Sequence, residues 1–111
     1  METALKPSSV SALLADLLRG GVVDAADLAL VLGATPRSVA RWRAGTVLPR
    51  RAVEERLLEL AAVLDAVRAR AVEAETARLW LRRPHRELGY DRPLDRIAAG
   101  GFRDAIAVLE P

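Results

Sequence analysis

The stretch GATPRSVARWRAG, residues Gly33 to Gly45, limits what this chain can fold into more than any other. Glycine, threonine and proline fall within four positions, so one helix must stop at Gly33 and another must start at once. Thr35 is placed to cap the new helix, Pro36 fits its first turn because no N–H donor is needed there, and Gly45 closes it. Val39 and Trp42 share one face at i, i+3, with Leu28 and Leu32 of the preceding helix opposite them. Ala29, four residues before Gly33, is small enough for the two helices to cross closely. This spacing predicts a helix-turn-helix.

If Val39 and Trp42 turn inward, the other side of that helix presents Arg37 and Arg41, with Ser38 at the flank. Arg43 lies only about 40° from Val39 on the helical wheel and is expected to run outward along Trp42. Arginines in the first half of a recognition helix reach guanine O6 and N7 with paired hydrogen bonds, and a capped first turn suits a phosphate. Arg50 and Arg51, at the start of the next helix, read as phosphate clamps. The expected DNA-binding set is therefore Thr35, Arg37, Ser38, Arg41, Arg50 and Arg51. Between Thr35 and Arg51 lie five arginines and no acid, a local field that attracts polyanions although the formal net charge is only +2. The structural alternative is a helical corner whose arginines serve solubility alone.

The remaining chain also reads as helix. Alanine and leucine dominate, aromatics are 4%, and 111 residues suffice for one core or two small lobes that share one. Ser8 or Ser9 is expected to cap a first helix with Val10, Leu13, Leu14 and Leu17 inward, ended by Gly20 and Gly21. Asp24 caps the second. A longer helix is predicted from Pro49 to about Ala71, with Val53, Leu57, Leu60, Ala61, Leu64, Val67 and Ala71 on one stripe. Its shallower face, carrying Leu58, Ala62, Ala66 and Ala69, either faces solvent or meets a second copy. A homodimer is the expectation, since helix-turn-helix proteins span adjacent major grooves as pairs. A further helix through Ala77, Leu79, Trp80 and Leu81 stops at Pro84, a short one starts at Pro93, and a last one turns Phe102, Ile106 and Leu109 inward. The whole is all-α: an N-terminal helix-turn-helix bundle, residues 1–70, continuing through the long helix into a small C-terminal helical region, residues 71–111.

Several classes are disfavoured. There is no cysteine, one histidine, no glycine loop for phosphates and no carboxylate pair set for acid–base work, so neither an enzyme nor a metal or cofactor site is expected. The N-terminus lacks the layout of a signal peptide, no apolar run is long enough for a bilayer, and the cytoplasm is the expected compartment.

The C-terminal segment WLRRPHRELGYDRPLDRIAAGGFRDAIAVL carries W-L, then P-x-x-x-L, then P-L-D, then a glycine pair and A-I-x-V-L. This pattern resembles the toxin-binding region of the Xre/MbcA/ParS antitoxins, and PRSVARWRAG is similar to the helix-turn-helix segment of that family. His85 stands where the family pattern favours asparagine, which caps the following turn more readily. The resemblance implies a cognate RES-domain toxin that consumes NAD. The antitoxin silences it by covering its active-site cleft with the C-terminal region, and the pair binds operator DNA of its own operon. It further implies toxin contacts on two surfaces: Leu81, Arg82, Arg83, His85, Arg86 and Arg92, and the tail with Phe102, Leu109, Glu110 and Pro111. The arginines there would pair with toxin acids or fill the space of NAD phosphates, unless they form a solvated rim. Trp80 fits a core anchor better than a contact residue. The rival reading is a stand-alone helix-turn-helix regulator without a toxin partner, distinguished by whether a RES-type reading frame lies beside the gene.

Overall fold

The computed structural model describes residues 6–70 and 73–109, and among these every regular element is helical. In order they are α1 (Pro7–Arg19), α2 (Ala25–Leu32), α3 (Pro36–Arg43), α4 (Arg51–Arg70), α5 (Ala74–Arg82), a 3₁₀ turn (Arg86–Leu88), α6 (Pro93–Ala98) and α7 (Phe102–Leu109). Each boundary has a local cause. Asp24 caps α2 in a reciprocal box: its carboxylate accepts from the Asp27 amide, and Asp27 accepts from the Asp24 amide, both at 2.9 Å. At the other end Gly33 takes φ 63°, and the amides of Gly33 and Ala34 return to the carbonyls of Leu30 and Ala29. That left-handed turn reverses the chain in two residues and aims α3 across α2.

Two expected details are corrected. The cap of α1 is Lys6, with Pro7 in the first turn and no side-chain cap, so Ser8 and Ser9 lie inside the helix. The long helix begins at Arg51, and Pro49 is buried just ahead of it. Ala71, Glu110 and Pro111 lie outside the described residues.

One hydrophobic cluster serves the whole molecule. Val10, Leu14 and Leu17 of α1, Leu28 and Val31 of α2, Val39 of α3, and Leu57, Leu60, Val63 and Leu64 of α4 join Leu81, Leu94, Ile97 and Ala105 from the last third of the chain. α6 packs on α2 and α7 packs on α4, so the C-terminal helices close the same core that α1, α2 and α3 open. Trp80, Phe102, Ile106 and Leu109 pack against it, half-buried.

Candidate functional site

α3 presents its two faces as its period requires. Val39 is 2% exposed, Trp42 packs half-buried against the core, and Arg37 and Arg41, one turn apart on the other side, are exposed. Neither arginine makes an ion pair or side-chain hydrogen bond among the described residues. Thr35 Oγ1 accepts from the Ser38 amide at 3.1 Å and its hydroxyl donates to Ser38 Oγ at 3.2 Å, so both residues build the cap of α3. A groove of about 420 Å³ runs past this cap, and Thr35, Ser38, Trp42 and Arg50 line it. The fold thus brings Arg50, distant in sequence, to the positive end of α3, an arrangement suited to an anion such as a phosphate. Arg51 faces elsewhere in its bonding: it pairs with Glu55 at 3.5 Å on the exposed surface of α4. Arg43 is exposed beside a second groove, between α3 and α1, and its carbonyl accepts from Ser11 Oγ.

The C-terminal arginines divide into two groups. Arg82 donates to the carbonyls of Val22 and Arg78 and pairs with Asp27, the inner member of the α2 capping box. One turn earlier, Arg78 lies 3.8 Å from Asp24. α5 therefore clasps the N-terminus of α2 with two guanidiniums, and Arg82 is committed inside the fold rather than offered to a partner. Arg92 is likewise paired, with two hydrogen bonds of 2.7 and 3.0 Å to Asp95. That pairing holds the Asp95 carboxyl below its ordinary range and raises the Arg92 guanidinium. Leu81 is fully buried and leaves the candidate contact surface. Arg83 and Arg86 remain exposed, with no ion pair among the described residues.

His85 shows why histidine is accommodated at its position. It caps no following turn; instead its Nε2 sits 2.9 Å from the carbonyl of Trp80 and its ring lies 5.1 Å from the indole. It closes the preceding helix, where free carbonyls need donors. Phe102 and Leu109 are half-buried, so each offers only part of its surface to a partner. On α4, Leu58 is 49% exposed, Ala62 is exposed and Ala66 is half-buried.

Three further residues carry no signal in the sequence. Arg96 donates to Asp91 at 3.1 and 3.3 Å, to Asp104 at 3.0 Å and to the Leu88 carbonyl, binding the loop before α6 to the start of α7. Arg56 of α4 donates to the carbonyls of Ile97 and Ala98 at 2.7 and 2.8 Å, which satisfies the end of α6. Tyr90 is 69% exposed and adopts φ 68°. An arginine in isolation does not say where its acceptor lies, and nothing local marks Tyr90 as left-handed; only Asp27 was findable, as the third residue after a capping aspartate. Among the described residues no cluster of three metal-ligating side chains occurs, and no helix is long and apolar enough to cross a membrane.

Comparison with known proteins agrees with this architecture. Residues 27–110 match the family model described as the antitoxin Xre/MbcA/ParS C-terminal toxin-binding domain. Over 80 residues the chain is 39% identical to the mycobacterial cidal antitoxin MbcA of Mycobacterium bovis and of Mycobacterium tuberculosis, covering 72% of this chain and 70% of each relative. A chain from the crystal structure of the M. tuberculosis MbcT–MbcA toxin–antitoxin complex superposes with a TM-score of 0.78 at 30% identity, over 90% of this chain and 89% of that one. The family match begins at Asp27, inside α2, so it takes in α3 as well as the C-terminal helices that share its core. By the span of that match and the identity to MbcA, the chain belongs to the Xre/MbcA/ParS antitoxin family.

Proposed function

We propose that this chain neutralises a RES-domain, NAD-consuming toxin by covering its active site with the C-terminal region, residues 71–111, and that the pair represses its own operon through helix-turn-helix DNA binding by residues 1–70. The observation that supports toxin binding most is the likeness, over nearly the full length of both chains, to a chain crystallised in a toxin–antitoxin complex. DNA binding is supported by the outward, unpaired Arg37 and Arg41, and by the groove that joins Arg50 to the cap of α3 formed by Thr35 and Ser38. Arg51, next to Arg50 in the chain, is exposed and pairs with Glu55 at 3.5 Å, and it completes the expected set. The toxin contacts reduce to Arg83, His85 and Arg86 with the chain end, Phe102, Leu109, Glu110 and Pro111. Two copies joined through Leu58, Ala62 and Ala66 would let paired recognition helices meet one operator.

One pair of measurements tests both halves. Co-expressed with the neighbouring RES-type gene product, the chain is expected to co-purify with it and restore growth. The double variant Arg37→Ala, Arg41→Ala is expected to lose operator retention in a gel shift while still neutralising the toxin. Retained operator binding would remove α3 from the DNA interface, and failure to co-purify would remove the toxin reading.

A further inference from the structure

The segment between α5 and α6 is built as a rigid platform. The Tyr90 amide returns to the His85 carbonyl at 2.8 Å, the Gly89 amide to Arg86 at 3.0 Å, the Asp91 amide to Leu88 at 3.1 Å and the His85 amide to Asp91 at 3.2 Å. Leu88 is driven into the interior at 1% exposure, His85 is fixed against Trp80, and Arg96 grips the Leu88 carbonyl and Asp91 from below. Gly89 and Tyr90 are both left-handed, at φ 63° and 68°. Tyr90 is the sole non-glycine with positive φ among the described residues, and it is the most exposed of the large hydrophobic side chains.

No polar bond or ring contact of its side chain offsets that backbone among the described residues. The phenol makes no hydrogen bond and the ring no aromatic contact among the described residues. An aromatic held in a costly conformation on a loop tied by backbone hydrogen bonds, and turned to solvent, has the properties of an interface anchor: large area and few rotatable bonds. Its loop also carries Arg86 and follows Arg83, both exposed and unpaired, so the surface it suits is a concave apolar site rimmed by carboxylates.

We propose that Tyr90 is the anchor through which this chain docks on its toxin, its ring filling an apolar pocket whose acidic rim faces Arg83 and Arg86. This rests on the toxin reading given above. The test uses the full chain and the neighbouring RES-type gene product, with affinity by calorimetry and stability by thermal melting. Tyr90→Asn is the informative variant because asparagine tolerates the left-handed region. The expected result is a melting temperature no lower than that of the unaltered chain, an affinity for the toxin lowered by about 30-fold or more, and unchanged operator retention. Tyr90→Phe should bind within about threefold of the unaltered chain, since the ring rather than the hydroxyl fills the pocket. If the unaltered chain binds and Tyr90→Asn binds equally well, the toxin reading stands and the anchor is wrong. A lower melting temperature for Tyr90→Asn would assign the ring to the fold and also overturn the proposal. If the unaltered chain itself fails to bind, the toxin reading falls and the anchor with it.

Discussion

Arg96 and Gly101 depend on each other. Gly101 lies against the stem of Arg96, where an added Cβ would stand 2.6 Å from Cδ, 2.9 Å from Cγ and 3.3 Å from the Arg96 carbonyl. That stem cannot swing away, because its guanidinium is held by Asp91, Asp104 and Leu88. Gly101→Ala is therefore expected to destabilise the protein by about 1–3 kcal/mol, the usual range for overpacking, as a lower midpoint in urea. An unchanged midpoint would mean that the loop before α7 yields more easily than its hydrogen bonds imply. Side-chain pairing is also the feature least legible in the sequence. Arg82 and Arg92 are expected partner contacts from their density near Pro84 and Pro93; the fold holds Arg82 on Asp27, and Arg92 pairs with Asp95 at the surface. A guanidinium's partner is chosen in three dimensions, and the sequence lists only the candidates.

Among the elements, the helix starts were the most legible, since a cap is a local bond between residues three apart. Asp24, Thr35, Pro36 and Pro93 mark theirs correctly; α1 departs because Pro7 begins the helix one residue ahead of the serines. The α2 cap has a further, non-local layer in the Arg78 and Arg82 clasp. The hydrogen bond from the Asp27 amide, aided by these two cations, holds the Asp24 carboxyl below its ordinary pKa of 3.8. Asp95 is lowered in the same sense, chiefly by its hydrogen bonds from Arg92. A carboxyl whose folded pKa is depressed contributes stability above its unfolded pKa and loses it as pH falls through the folded value. Through these two groups the melting temperature should hold steady down to about pH 5 and decline below about pH 4. Both sites are largely open to solvent, so the decline should be modest and weakened further by salt. A melting temperature that rose on acidification would contradict the assigned bonds.

For the whole molecule, the decisive fact is that residues 1–70 and 71–111 do not own separate cores. The radius of gyration is 13.6 Å, against ~13 Å for a single globule of this length, so the C-terminal region is folded onto the rest. Leu81, Leu88, Leu94 and Ile97 are each no more than 1% exposed. At roughly 1.5–3 kcal/mol per buried side chain, these four contribute about as much as the net stability of a typical domain. A fragment ending at Arg70 is therefore expected to lack a cooperative thermal transition, while the intact chain melts in one step. A cooperative melt of the fragment would show that α1–α4 hold together without the faces that α6 and α7 cover. The same sharing means that any ligand bound to the folded C-terminal helices would stabilise α3 as well, by mass action.

From the residues alone came the helical class, the turn at Gly33, the inward Val39 and Trp42 with outward Arg37 and Arg41, and the family resemblance. All of these rest on periodicity, capping and short motifs, which are interactions between near neighbours in the chain. Tertiary structure decided which arginines are already paired, that Arg50 joins the cap of α3, that Leu81 is core, and that Tyr90 stands exposed on a left-handed backbone. Those outcomes depend on where α5, α6 and α7 come to lie against α2 and α4, and burial and ion pairing between distant segments have no fixed spacing from which to be read.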